Sequence, residues 1–141
     1  MTSSPSPKPD RVRIRGVELL RVGKWEAGTG PFDCTPEVIR SAAAAAAAGL
    51  LRAPVIRLGH DDPRFDAEPG VGWLENIRAV DGDTVLVADM AGVPRWLADA
   101  IPTAYPSRSI EGRLDWTDPD GRTWPFVLDG VALLGATPPA G

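Results

Sequence analysis

The sequence predicts an α+β domain built mainly on antiparallel strands, arranged as a sheet or small barrel with a few surrounding helices. Three observations predict it. Strand-patterned segments recur along the chain, separated by turn-rich stretches. Only two segments carry a helical pattern. The length of 141 residues fits one domain, and 43% apolar residues are enough for a core.

Residues 1–10 are rich in Ser and Pro and read as a disordered arm ahead of a domain spanning 11–141. Val12 to Val22 is strand-like, with Gly16 as a break or bulge. Lys24 to Pro31 reads as a glycine-bearing loop. Helix signals then converge: Thr35 suits the N-cap, Pro36 the first helical position and Glu37 the first turn. Seven alanines follow, Gly49 is placed to end the helix, and Val38, Ile39, Ala42 and Ala46 supply its apolar face.

Pro54 to Leu58 is a short apolar strand that delivers Gly59 and His60 at its C-terminal end. Asp61 to Gly70 is polar and reads as a loop. Val71–Val80 and Thr84–Met90 form a hairpin around Asp81-Gly82-Asp83. Val93 to Ile101 has helical spacing with an early Pro94. Tyr105–Trp116 and Thr123–Leu134 make a last strand pair around Thr117-Asp118-Pro119-Asp120-Gly121. Residues 137–141 read as a stop or the start of a linker. The five tryptophans are expected mostly in the core, Trp25 and Trp116 least securely.

Composition excludes several functions. A net charge of −4 argues against a non-specific grip on nucleic acid. No apolar run reaches membrane-spanning length, and the N-terminus lacks the apolar stretch of a signal peptide, so a cytosolic protein is expected. The lone Cys34 cannot form an internal disulfide. His60-Asp61-Asp62 lacks a second His or paired Cys for a metal site. Gly28-Thr29-Gly30 lacks the lysine and helix of a phosphate loop. Asp118-Pro119-Asp120-Gly121 reads as a turn, not a calcium loop. No cofactor or metal is expected.

His60 is the chain's one histidine, hence the one candidate for a neutral-pH general base of that type. Ser107 and Ser109 follow on a predicted strand, two apart and so on one face. Serine is a poor nucleophile until a base takes its proton, and His60 can do so if the two strands are neighbours. Spacing alone also fits two ordinary solvent-face serines.

The order of segments resembles the capsid maturation (prohead) proteases of tailed phages, in particular the Mu-like group. The matching stretches are Pro54-Val55-Ile56-Arg57-Leu58-Gly59-His60, then Val71-Gly72-Trp73, then Tyr105-Pro106-Ser107-Arg108-Ser109, and finally Val131-Ala132-Leu133-Leu134 with Pro139-Ala140. The resemblance spans about residues 12–140. By position it implies Ser109 as nucleophile, because the Tyr105-to-Ser109 interval fits, and His60 as base. It implies a fold similar to the herpesvirus assembly proteases, a β-barrel wrapped by helices. Those enzymes use Ser-His-His, which a chain with one histidine cannot.

A third member must then be a carboxylate, a backbone group or water. Asp129 is one candidate, with the register open by one residue toward Gly130; Glu111, two residues from Ser109, is the other. Asp61 and Asp62 lie too close to His60 in sequence to judge. Backbone N–H groups, Arg108 or Arg113 are the oxyanion candidates. The resemblance implies a serine endopeptidase that cleaves scaffold and major capsid proteins, and itself, inside the assembling prohead in the host cytoplasm. It implies self-association, as a homodimer or otherwise, with no nucleic-acid or membrane partner. The alternatives are an inactive structural or scaffold-associated module of the particle, with the same fold but no Ser–His contact, and a protein-binding adaptor with an exposed apolar patch.

Overall fold

The first strand already carries a bend that the rest of the sheet is built around. In the computed structural model, which describes residues 10–27, 30–58, 71–104 and 107–134, strand β1 runs Arg11–Arg21 and bulges at Gly16, whose φ is +66°. The Gly16 N–H donates to Asp89 Oδ1 at 3.0 Å. That bond, with Arg78 and Arg13 nearby, holds the Asp89 carboxyl below the usual carboxylate range despite its burial. The bulge expected at Gly16 is therefore satisfied by a buried acid four strands' worth of sequence away.

After β1 come β2 (Gly23–Ala27), β3 (Gly30–Cys34), α1 (Pro36–Ala47), β4 (Val55–Leu58), β5 (Trp73–Val80), β6 (Val85–Pro94), α2 (Arg95–Ala104), β7 (Ser107–Thr117) and β8 (Thr123–Leu134). Six strands form one sheet in the order β1-β6-β5-β4-β8-β7, and β2 pairs with β3. Every ladder is antiparallel except β4 with β8. The expected mainly antiparallel α+β architecture is what the chain adopts. The sheet is open: among the described residues no ladder joins its edges β1 and β7, although their Cα atoms come within 8 Å.

The larger of two hydrophobic clusters lies against this sheet. Ile39 of α1, Leu97 of α2, and Ile56, Leu74, Leu86, Met90, Val131 and Leu133 from the strands are all almost fully buried in it. Each such side chain contributes about 1.5–3 kcal/mol by leaving water. Because β4 has only four residues, β5 and β8 have no strand between them beyond Val55. Helix α1 covers that gap, packing on both. Thr35 caps it by accepting from the Val38 N–H at 3.3 Å. Ser41 seats it: its Oγ donates to the Phe126 carbonyl at 2.6 Å and accepts from the Phe126 N–H at 3.0 Å.

Several expectations are corrected. Within Lys24–Pro31, residues 24–27 and 30–31 are not loop but strand, paired as β2 and β3 with Trp25 opposite Phe32; strand-forming aromatics outweigh the glycines. Val93 and Pro94 belong to β6, because Val93 is buried in the sheet opposite Val12, so α2 begins at Arg95 and extends to Ala104. The buried face of α1 includes Ser41 and Ala45, whereas Ala46 is exposed. Of the tryptophans, Trp124 is buried and Trp116 half-buried, but Trp73 and Trp96 are 40% and 59% exposed. The Trp73 ring lies against Gly92 and its indole N–H donates to Glu75 at 2.8 Å, which fixes it without burying it. The arm at 1–9, the loop at 61–70 and residues 137–141 lie outside the described residues.

Candidate active site

Two strand ends flank the predicted site. β4 and β8 run parallel, with Val55 opposite Gly130, Ile56 opposite Val131, Arg57 opposite Ala132 and Leu58 opposite Leu133. β7 runs antiparallel on the far side of β8, with Ser109 opposite Ala132 and Glu111 opposite Gly130. The C-terminal end of β4, which leads to His60, and the start of β7, which bears Ser107 and Ser109, therefore lie at one end of the sheet. They are not adjacent: β8 separates them, so two strand spacings put the β4 and β7 backbones about 10 Å apart.

Side-chain parity separates core from site. Ile56, Val131 and Ile110 occupy one row and pack into or against the core. The neighbouring row, Arg57, Ala132 and Ser109, points to the opposite face. Ser109 is half-buried there. His60 itself, with Asp61 and Asp62, lies outside the described residues, as do Tyr105 and Pro106. Ser107 and Arg108 are described as backbone of β7 only.

The two carboxylates proposed as third member sit differently. Glu111 shares Ser109's face, two residues along the non-bulged strand. Its carboxylate crosses β8 to Arg57, with Arg57 Nε 3.2 Å from Glu111 Oε1. Asp129 sits in the β8 bulge between the Glu111 and Gly112 pairings. It faces Arg113, whose Nε donates to Asp129 Oδ2 at 3.2 Å, in an exposed pair. Asp129 is three residues from Ala132, about 10 Å along the strand. Arg113, expected as an oxyanion candidate, is thus tied to Asp129 two rows from Ser109.

Gly130 explains how Glu111 reaches across. A Cβ there would stand 3.0 Å from Glu111 Oε1 and 3.0 Å from the Val55 carbonyl. The missing side chain leaves room for the carboxylate to lie over β8. Sequence reasoning missed Arg57 entirely. Its signal was a single charge inside the apolar run Val55-Ile56-Arg57-Leu58, which alternation assigns to the outward face.

Other chemistry is sparse. Cys34 is buried, and burial together with Asp33 pushes its thiol up to about 11, so it is not a thiolate at neutral pH. Among the described residues no three His, Cys, Asp or Glu cluster as metal ligands. A pocket of about 420 Å³ opens between α1, β5 and the chain before β4, lined by Ala42, Leu51, Pro54, Asn76 and Val127 among others. It lies at the N-terminal end of β4 and includes neither Ser109, Arg57 nor Glu111. Among the described residues no helix is long and apolar enough to cross a membrane. No family model, curated protein or solved structure matches the chain.

Proposed function

We propose that this chain is a serine endopeptidase of the prohead-protease kind, cleaving scaffold and major capsid proteins, and itself, during phage head maturation. The observation that supports the reading most directly is the β4–β8–β7 register: the end of the strand leading to His60 and the start of the strand bearing Ser109 lie at the same end of the sheet, on either side of β8. The motif order described above supports the same reading. The finer fold assignment, similar to herpesvirus assembly proteases, rests on that resemblance, and the approach of β1 to β7 supports it.

In this mechanism His60 takes the Ser109 hydroxyl proton as Oγ attacks the peptide carbonyl carbon. The tetrahedral oxyanion collapses, the C–N bond breaks, and His60 returns the proton to the leaving amine. Water then repeats the sequence on the acyl-enzyme, releasing the acid and restoring Ser109. Contact requires the chain beyond Leu58 to bring the imidazole over Ala132, since the backbones are about 10 Å apart. Glu111 is the third member in this scheme, because it shares Ser109's face two residues along β7, whereas Asp129 sits in the β8 bulge, three residues from Ala132. The enzyme self-associates, as a homodimer or otherwise, inside the assembling prohead in the host cytoplasm.

A fluorophosphonate probe tests this. Oγ displaces fluoride from phosphorus, and peptide mapping by mass locates the adduct. The expected adduct is on Ser109, absent from Ser109→Ala and His60→Ala, and retained in Ser107→Ala. No adduct on the folded wild type would leave the inactive structural module as the better account.

A further inference from the structure

We propose that Arg57 and Gly130 are positioning residues of the Ser109 site: together they hold the Glu111 carboxylate across β8, tying the strand that leads to His60 to the strand that bears the nucleophile. The inference rests on the protease reading above. Three observations carry it. The Arg57–Glu111 pair spans two strand spacings, as Arg13–Glu75 does across β6, whereas the remaining ion pairs within the sheet among the described residues join neighbouring strands or the same one. It crosses at the one residue of that row without a side chain, Gly130. And it lies beside Ser109: Glu111 is two residues along the same face of β7, and Arg57 is in Ser109's own row and three residues before His60.

A purely structural role explains these facts less well. A partly exposed ion pair contributes little to global stability. The arrangement nevertheless fixes a carboxylate beside Ser109 and sets how β4 is held where it leads toward His60. Placement of a base and nucleophile is sensitive to shifts of the order of 1 Å. Substituting alanine at Gly130 adds a Cβ that crowds the Glu111 carboxylate and the Val55 carbonyl of β4, so Arg57→Gln is the cleaner variant.

The test uses the full chain and the fluorophosphonate probe, separating the maximal labelling rate from the probe's half-saturating concentration. Gly130→Ala and Arg57→Gln are expected to lower the maximal rate by about tenfold or more. The half-saturating concentration, the labelled fraction at completion and the melting temperature should stay near wild type. Arg57→Lys, which keeps the charge, is expected to recover part of the rate. A structural role alone would lower the melting temperature and the labelled fraction but leave the rate of the folded protein unchanged. The inference is overturned if Arg57→Gln, folded by circular dichroism, labels within about threefold of wild type. That variant decides alone if Gly130→Ala does not fold. A wild type that is not labelled at all overturns the function and the inference together.

Discussion

Asp118 closes the β7–β8 turn with three bonds. Its Oδ2 accepts from the Trp124 indole N–H at 2.9 Å, and its Oδ1 accepts from the N–H groups of Asp120 and Arg122 at 2.9 and 3.0 Å. The Trp124 N–H first, then those backbone donors, hold the carboxyl below the usual range. A depressed native pKa means stability that is fully present above the unfolded value, near 3.8, and lost as pH falls through the lower native value. Asp118→Asn should therefore lower the melting temperature at neutral pH, and the gap to wild type should narrow below about pH 4. Melting curves from pH 2 to 7 check this; a gap constant with pH would contradict it. Gly92 offers a second single-residue test. Its φ is +64°, and a Cβ there would stand 2.2 Å from the Trp73 ring. Gly92→Ala should cost about 1–3 kcal/mol in urea unfolding, because the ring must leave its seat. The turn at Asp118 was legible from Asp-Pro-Asp-Gly. Its bond to Trp124 was not, since that needs the hairpin register. Trp73 was misjudged for a related reason: hydrophobicity does not reveal a glycine on the next strand.

At the scale of elements, α1 was the most legible. Thr35, Pro36 and Gly49 mark both its ends, and each acts as expected: Thr35 as N-cap, Pro36 at the start, Gly49 with φ +67° just past the end. What the pattern hid is the seat of the helix. Ser41 is a polar residue in an alanine run, yet its hydroxyl serves both the N–H and the carbonyl of Phe126. Ser41→Ala should cost about 1–3 kcal/mol, read by denaturant unfolding, because two buried backbone groups lose their partner. Thr35→Ala should cost about 1 kcal/mol by the same measurement. The β2–β3 hairpin was hidden for the opposite reason: Gly and Pro punctuation in 24–31 masks a ladder from Gly23 to Cys34. Strand β4 was found, but its outward Arg57 was read only as part of a motif.

For the whole molecule, composition and periodicity suffice for the α+β class because successive strands mostly pair as antiparallel neighbours. They do not give strand order. The parallel β4–β8 pairing joins segments more than sixty residues apart, with three strands and a helix between them in sequence. No local pattern encodes it, yet it is this pairing that puts Ser109 and the end of β4 at one end of the sheet. The sequence distance between β4 and β7 thus became a distance of two strand spacings, and the choice between Glu111 and Asp129 became a matter of which face and which row each occupies.

The most direct test of the central claim is cleavage of the matching scaffold protein, followed by gel and mass analysis of the products. Wild type and Ser107→Ala should cleave it. Ser109→Ala and His60→Ala should lose cleavage by several orders of magnitude while remaining folded. Cleavage that survives Ser109→Ala, or that is lost only in Ser107→Ala, would contradict the account.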